Sequence, residues 1–147
     1  MENRINIIET LPQVTKALYT LSGVIENSAL TKTHKELLKI RASQINGCAF
    51  CIDMHTKDAL KYGETQQRIF LLNAWRETSL FTAEEKAVLA IAEEITLISN
   101  HGLTDTTYAL AKSFFTDEYI ALLVAATVTI NAWNRLAISS QLEPGGV

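Results

Sequence analysis

Proline occurs twice, cysteine twice and glycine six times in 147 residues, so the chain has few of the residues that break helices, staple small folds or punctuate turns. Two cysteines cannot build the disulfide framework of a small secreted domain. A chain of this length buries about 68–70% of its unfolded surface and needs no such framework. Basic clusters are missing too: 13 Lys and Arg stand scattered against 16 Asp and Glu, for a net charge of −3. Nucleic-acid binding rests on neutralising phosphates, and anionic membrane surfaces attract basic patches, so neither is an expected partner. The opening Met1-Glu2-Asn3-Arg4-Ile5-Asn6 places charges where a secretory leader would be apolar. The longest uncharged run, residues 119–134, falls short of the roughly 18–20 residues of a membrane span. A buried helix and a cytoplasmic location are expected instead.

What remains is an apolar-rich chain, 48% hydrophobic, whose apolar residues recur every three or four positions with little β-type alternation. This predicts an all-α bundle of about six to seven helices, one domain over 1–147. Leu11, Val14, Ala17, Leu18, Leu21 and Val24 form a first stripe, with Thr10 as a candidate cap and Pro12 in the opening turn. A second helix starts at Thr31 or Thr33, carries Leu37, Leu38, Ala42 and Ile45, and ends at Asn46-Gly47. A third runs from the cysteines to Tyr62 and Gly63, and a fourth spans residues 65–76. Thr82-Ala83-Glu84-Glu85 is a capping-box pattern opening a fifth, which ends at Asn100-His101-Gly102. A short helix follows over residues 105–115, and Thr116-Asp117-Glu118 starts a last one to about Ser140. Apolar nearly all round, this last helix needs cover on every side, which predicts a subunit interface. The tail Glu143-Pro144-Gly145-Gly146-Val147 is expected to fray.

The chemistry concentrates in Gly47-Cys48-Ala49-Phe50-Cys51-Ile52-Asp53-Met54-His55. On a helix Cys51 and His55 share a face, and Cys48 lies one turn earlier. Two cysteines at this spacing can close a reversible disulfide without large backbone movement. Cys48, at a helix start, is expected to have a lowered thiol pKa and to be the more exchange-ready sulfur. His55 is placed to take the proton of Cys51 and make it the nucleophile. Glu36, on the preceding helix, can fold back to hold the imidazole, or can equally close a capping box in Thr33-His34-Lys35-Glu36. Plain core packing of Cys and His is the bland alternative. Zinc is another, recruiting His34, His101 or Glu36 singly. A thioredoxin fold shares the cysteine spacing but needs strands. His34 and His101 are expected to be solvated, as are Asp53, Lys57 and Asp58, while Trp75 and Trp133 are expected in the core or an interface.

Glu36, eleven residues, Cys48-x-x-Cys51, three residues and His55 together resemble the active-site pattern of AhpD-like alkylhydroperoxidases, within the carboxymuconolactone decarboxylase family. The likeness runs through Arg41-Ala42-Ser43-Gln44-Ile45-Asn46-Gly47-Cys48 and Asp53-Met54-His55-Thr56-Lys57-Asp58-Ala59, and more weakly to Ile130-Asn131-Ala132-Trp133-Asn134-Arg135. The resemblance implies an all-α AhpD-like bundle assembled as a homo-oligomer, trimer or hexamer, with the site near a subunit contact. It also implies that Cys51 attacks a hydroperoxide, Cys48 resolves the product to a disulfide, and Glu36 with His55 relays protons. A dithiol or lipoyl-type reductant would restore the thiols, and no bound cofactor is needed. AhpD itself carries a histidine between its two cysteines where this chain has Ala49-Phe50, so a second relay residue is absent. Two other functions stand beside a peroxidase: a decarboxylase-like lyase acting on a small lactone acid, and a non-catalytic redox sensor.

Overall fold

The computed structural model describes residues 4–145, so Met1, Glu2 and Asn3, and Gly146 and Val147 of the expected frayed tail, lie outside the described residues. Glu143, Pro144 and Gly145 are exposed and carry no regular structure. The helical segments are α1 (Ile7–Thr10), α2 (Pro12–Glu26), α3 (Lys32–Asn46), α4 (Ala49–Lys61), α5 (Gln66–Phe70), a 3₁₀ helix (Leu72–Glu77), α6 (Ala83–Thr96), α7 (Ile98–His101), α8 (Asp105–Lys112) and α9 (Asp117–Ser139). No strand occurs among the described residues. The count exceeds the expected six to seven because α1, α5 and α7 are helices of four or five residues.

Most boundaries follow local chemistry. Threonine hydroxyls accept from the first-turn amides of α3, α5, α6, α8 and α9, satisfying donors that a helix start leaves unpaired. Thr10 is not a cap. Its hydroxyl donates to Asn6 O at 2.7 Å, and Asn6 caps the short α1, leaving α2 to begin at Pro12 with no side-chain cap. Residues 65–76 do not form one helix: the chain kinks near Ala74, where φ −113 and ψ 26 leave helical space.

The core has two main parts. Leu38, Ala42, Val88, Ile91, Ala92, Leu123, Ala126 and Ile130 join α3, α6 and α9. Leu37, Ile40, Leu72, Trp75, Phe81 and Leu89 form a second cluster on the opposite flank of α3 and α6. By length and composition α9 could cross a membrane, but half of its most apolar stretch is buried in the bundle, where it packs on α2, α3, α6 and α8. The bundle covers that half of α9, and Val128 and Ile138 remain exposed. The larger uncovered apolar face lies on α2 instead: Leu11, Val14, Leu21 and Val24 are exposed, and only Thr15 and Ile25 of α2 are buried.

His34 is buried rather than solvated: its Nδ1 is 2.7 Å from Tyr119 Oη, and its ring packs edge-on against Phe115. Proximity of α3 to the start of α9 captures it. His101 is exposed. Asp53 and Lys57 pair on the outer face of α4 at 2.9 Å, while half-buried Asp58 borders a cavity and pairs with Lys61 at 3.3 Å.

Candidate active site

The site is made by the turn between α3 and α4. Gly47 adopts φ 69 and ψ 33, a left-handed conformation that costs glycine least. In that geometry the Cys48 amide donates back to Ser43 O at 3.0 Å. The chain reverses sharply, Cys48 becomes the N-cap of α4, and α4 lies antiparallel along α3. Cys51 and His55 then face back towards Glu36, which is nineteen positions from His55 yet 3.2 Å away, Oε2 to Nδ1. All four residues named from the sequence are buried and brought together: Cys48 at 1% exposure, Cys51 at 2%, Glu36 at 5% and His55 at 8%.

The two sulfurs stand 2.6 Å apart, both as free thiols. Cys51 lines a cavity of about 380 Å³ with His55, Glu36 and Lys39, and Cys48 does not. Access falls to Cys51, the residue expected as the nucleophile: Ala137, Phe50 and Leu142 pack over the sulfur pair, and the cavity opens onto Cys51. Burial pushes the Cys51 thiol up to about 12; the adjoining Cys48 sulfur adds to the rise and a hydrogen bond from Asn134 opposes it. No hydrogen bond links His55 to either sulfur among the described residues; Cys51 and His55 line the same cavity from α4.

Glu36 is not a cap. Thr31, not Thr33, accepts from His34 N at 3.1 Å and opens α3, which moves Glu36 past the first turn and onto the inner face. Its Oε1 receives Lys39 Nζ at 3.2 Å. Among the described residues no three His, Cys, Asp or Glu side chains are grouped as a metal ion would require.

Two polar contributors carried no signal of their own in the sequence reading. Asn134 is fully buried, donates from Nδ2 to Ser43 Oγ at 3.0 Å and accepts from Asn46 Nδ2 at 2.9 Å. Asn131 and Asn134, three apart inside an otherwise apolar run, were the available clue. Lys39 stands three positions after Glu36 on α3 and belongs to no motif that would mark it. Trp133 lines the cavity, its Nε1 donating to Ser22 Oγ at 2.8 Å, whereas Trp75 sits in the core.

A helical bundle that sets a paired dithiol at the wall of an apolar cavity, beside a carboxylate and an imidazole, defines an AhpD-like protein. The chain belongs to the carboxymuconolactone decarboxylase family, whose pattern matches residues 12–94. It is 42% identical over 139 residues to the Bacillus subtilis protein YdfG, covering 95% of each. Its fold matches the crystal structure of a protein of unknown function from Agrobacterium tumefaciens ascribed to AhpD antioxidant defence. The TM-score is 0.95 at 35% identity, over 99% of this chain and 100% of that one. The fold also recurs in the debrominase Bmp8, at TM-score 0.84 and 15% identity, over 95% of this chain and 75% of that one.

Proposed function

We propose that the chain is a thiol-dependent alkylhydroperoxide reductase. The observation that carries this reading is Cys51 on the cavity wall with its partner sulfur 2.6 Å behind it. Cys51 attacks the outer oxygen of a hydroperoxide and breaks the O–O bond. Its sulfur becomes a sulfenic acid, and the alcohol leaves with the thiol proton. Cys48 then attacks that sulfur, forming the S–S bond and releasing water, and an external dithiol or lipoyl-type reductant restores both thiols by exchange. No bound cofactor is needed.

Because burial keeps Cys51 protonated, with a pKa of about 12, the attack requires a base. With Glu36 accepting from Nδ1–H, His55 keeps Nε2 free as an acceptor. It takes the thiol proton and delivers it to the leaving alkoxide. Glu36 holds the ring. We place the enzyme in the cytoplasm as a homo-oligomer, trimer or hexamer, without nucleic-acid or membrane partners; the exposed apolar stripe on α2 supports assembly.

Thiol titration tests this directly. One equivalent of an alkyl hydroperoxide should remove two thiols per chain, a dithiol should restore them, and Cys51→Ser should abolish peroxide consumption. Wild-type turnover in that variant would remove Cys51 from the mechanism. A lyase for a lactone acid would have to hold a carboxylate. Among the described residues Lys39 is the one Lys or Arg lining the cavity, and Glu26 and Glu36 already share it. Lactone turnover surviving loss of both thiols would favour the lyase. A change of assembly on oxidation without turnover would favour the sensor.

A further inference from the structure

The carboxylate behind His55 is not held by His55 alone. Each oxygen of Glu36 has its own partner: Oε2 faces His55 Nδ1 at 3.2 Å, and Oε1 accepts from Lys39 Nζ at 3.2 Å. Lys39 is itself tethered across the seam to α2, where its ammonium also pairs with Glu26. The other oxygen of Glu26 receives Lys35 Nζ at 3.2 Å, and Lys35 also donates to the Glu26 carbonyl at 2.8 Å. The result is an alternating row, Lys35, Glu26, Lys39, Glu36, His55, running from a half-exposed carboxylate at the rim to the imidazole beside Cys51.

Such a row has two physical consequences. A buried carboxylate held at both oxygens cannot rotate, so the acceptor facing His55 stays aimed. The ammonium also places a positive charge next to the proton-carrying pair, which favours proton release from it. Burial pulls the Lys39 ammonium down, but Glu36 and Glu26 outweigh burial and leave its pKa above the ordinary lysine value, so the charge is permanent at working pH. Other titratable groups facing this space are few: Asp58 and Cys51 from α4, Tyr19 from α2, and Tyr62. Asp58 is paired outward with Lys61 at 3.3 Å. The cavity residues of α9 are Ala126, Thr129, Ile130, Trp133 and Ala137, none of them charged.

We propose that Lys39, anchored by Glu26, is a positioning residue that locks the Glu36 carboxylate against His55 and sets the pH at which Cys51 becomes reactive. This rests on the dithiol reading of the site, and it is testable without any peroxide. The rate of Cys51 alkylation by iodoacetamide, which rises as the His55–Cys51 pair gives up a proton and His55 can serve as the base, is measured across pH 5–10, with the modified residue located by peptide fragmentation, in wild type, Lys39→Met, Lys39→Arg and Glu26→Gln. Loss of the positive charge moves the midpoint of Lys39→Met alkaline by about one pH unit. Lys39→Arg keeps the charge and stays near wild type. Glu26→Gln removes a negative charge and frees Lys39 for Glu36, so its midpoint moves the opposite way, towards acid.

A role in packing alone predicts otherwise: a lowered thermal midpoint with the Lys39→Met profile in place, or Lys39→Met and Glu26→Gln displaced in the same direction. Either result overturns the assignment. If wild type fails to consume hydroperoxide yet the three profiles separate as stated, the peroxidase reading falls and the role of Lys39 stands.

Discussion

The starts of α3 and α6 carry the same four-residue pattern and use it differently. Thr33-His34-Lys35-Glu36 and Thr82-Ala83-Glu84-Glu85 both match a capping box, and the two glutamates are almost equally buried, at 5% and 7%. At α6 the pattern is what it looks like: Glu85 N donates to Thr82 Oγ1 at 3.1 Å and Thr82 N donates to Glu85 Oε2 at 2.8 Å. Arg68 then closes on the carboxylate, at 2.7 Å to Oε1 and 3.1 Å to Oε2. At α3 the helix begins two residues earlier, at Thr31, and Glu36 turns from its own backbone to Lys39 and His55. A buried carboxylate needs strong partners; one finds them in its cap and an arginine, the other in a lysine and an imidazole nineteen positions on.

Exchanging the two glutamates for glutamine separates the roles most sharply. Glu36→Gln is expected to lower peroxide turnover by about 100-fold while unfolding stability in urea stays within about 1 kcal/mol of wild type. Glu85→Gln should do the reverse, losing about 1–3 kcal/mol as the Arg68 pair and the cap weaken, with turnover retained. Equal effects of the two on activity would erase the distinction.

The threonines sharpen it at smaller scale. Thr82→Ala and Thr31→Ala should each cost about 1 kcal/mol in urea unfolding, the ordinary value of an N-cap. Thr33→Ala, exposed and without a capping bond, should stay within about 0.5 kcal/mol. A cost at Thr33 matching that at Thr82 would restore the capping box at α3.

The smallest effect is a pH dependence at His34, in the first turn of α3. Its pKa lies below the ordinary 6.5 because burial outweighs the raising influence of the Glu85 and Glu84 charges. The folded state therefore resists protonation that the unfolded chain accepts. Stability is undiminished above pH 6.5, declines as pH falls through that value, and levels off below the folded-state pKa. His34→Phe should flatten this part of the stability profile, leaving the carboxylate-driven loss at lower pH in place. An unchanged slope near pH 6 would move the pH dependence away from His34.

Much of this was legible in the sequence. The helical class, the caps at Thr82 and Thr116, and the stop at Gly47 follow from local rules, because each is decided by groups within four residues of one another. Cys48, Cys51 and His55 stand out by their spacing, whereas Glu36 is balanced against a capping box and joins them only through the family resemblance. Less visible was which sulfur the cavity reaches, because cover over Cys48 comes from Phe50 and from Ala137 and Leu142 at the far end of the chain. The direction of the α2 stripe was equally hidden: periodicity reports that one face is apolar and cannot report what, if anything, lies against it.

The sequence by itself determined an all-helical chain and a dithiol and an imidazole in register, since helix periodicity and a left-handed glycine act over a few residues. Only the tertiary structure decided that Glu36 leaves its helix start for His55, that Lys39 and Asn134 join the site, and that Cys51 meets the cavity. Those outcomes depend on contacts between distant segments, such as Asn134 with Ser43 ninety-one positions away, where burial selects which polar groups must find one another.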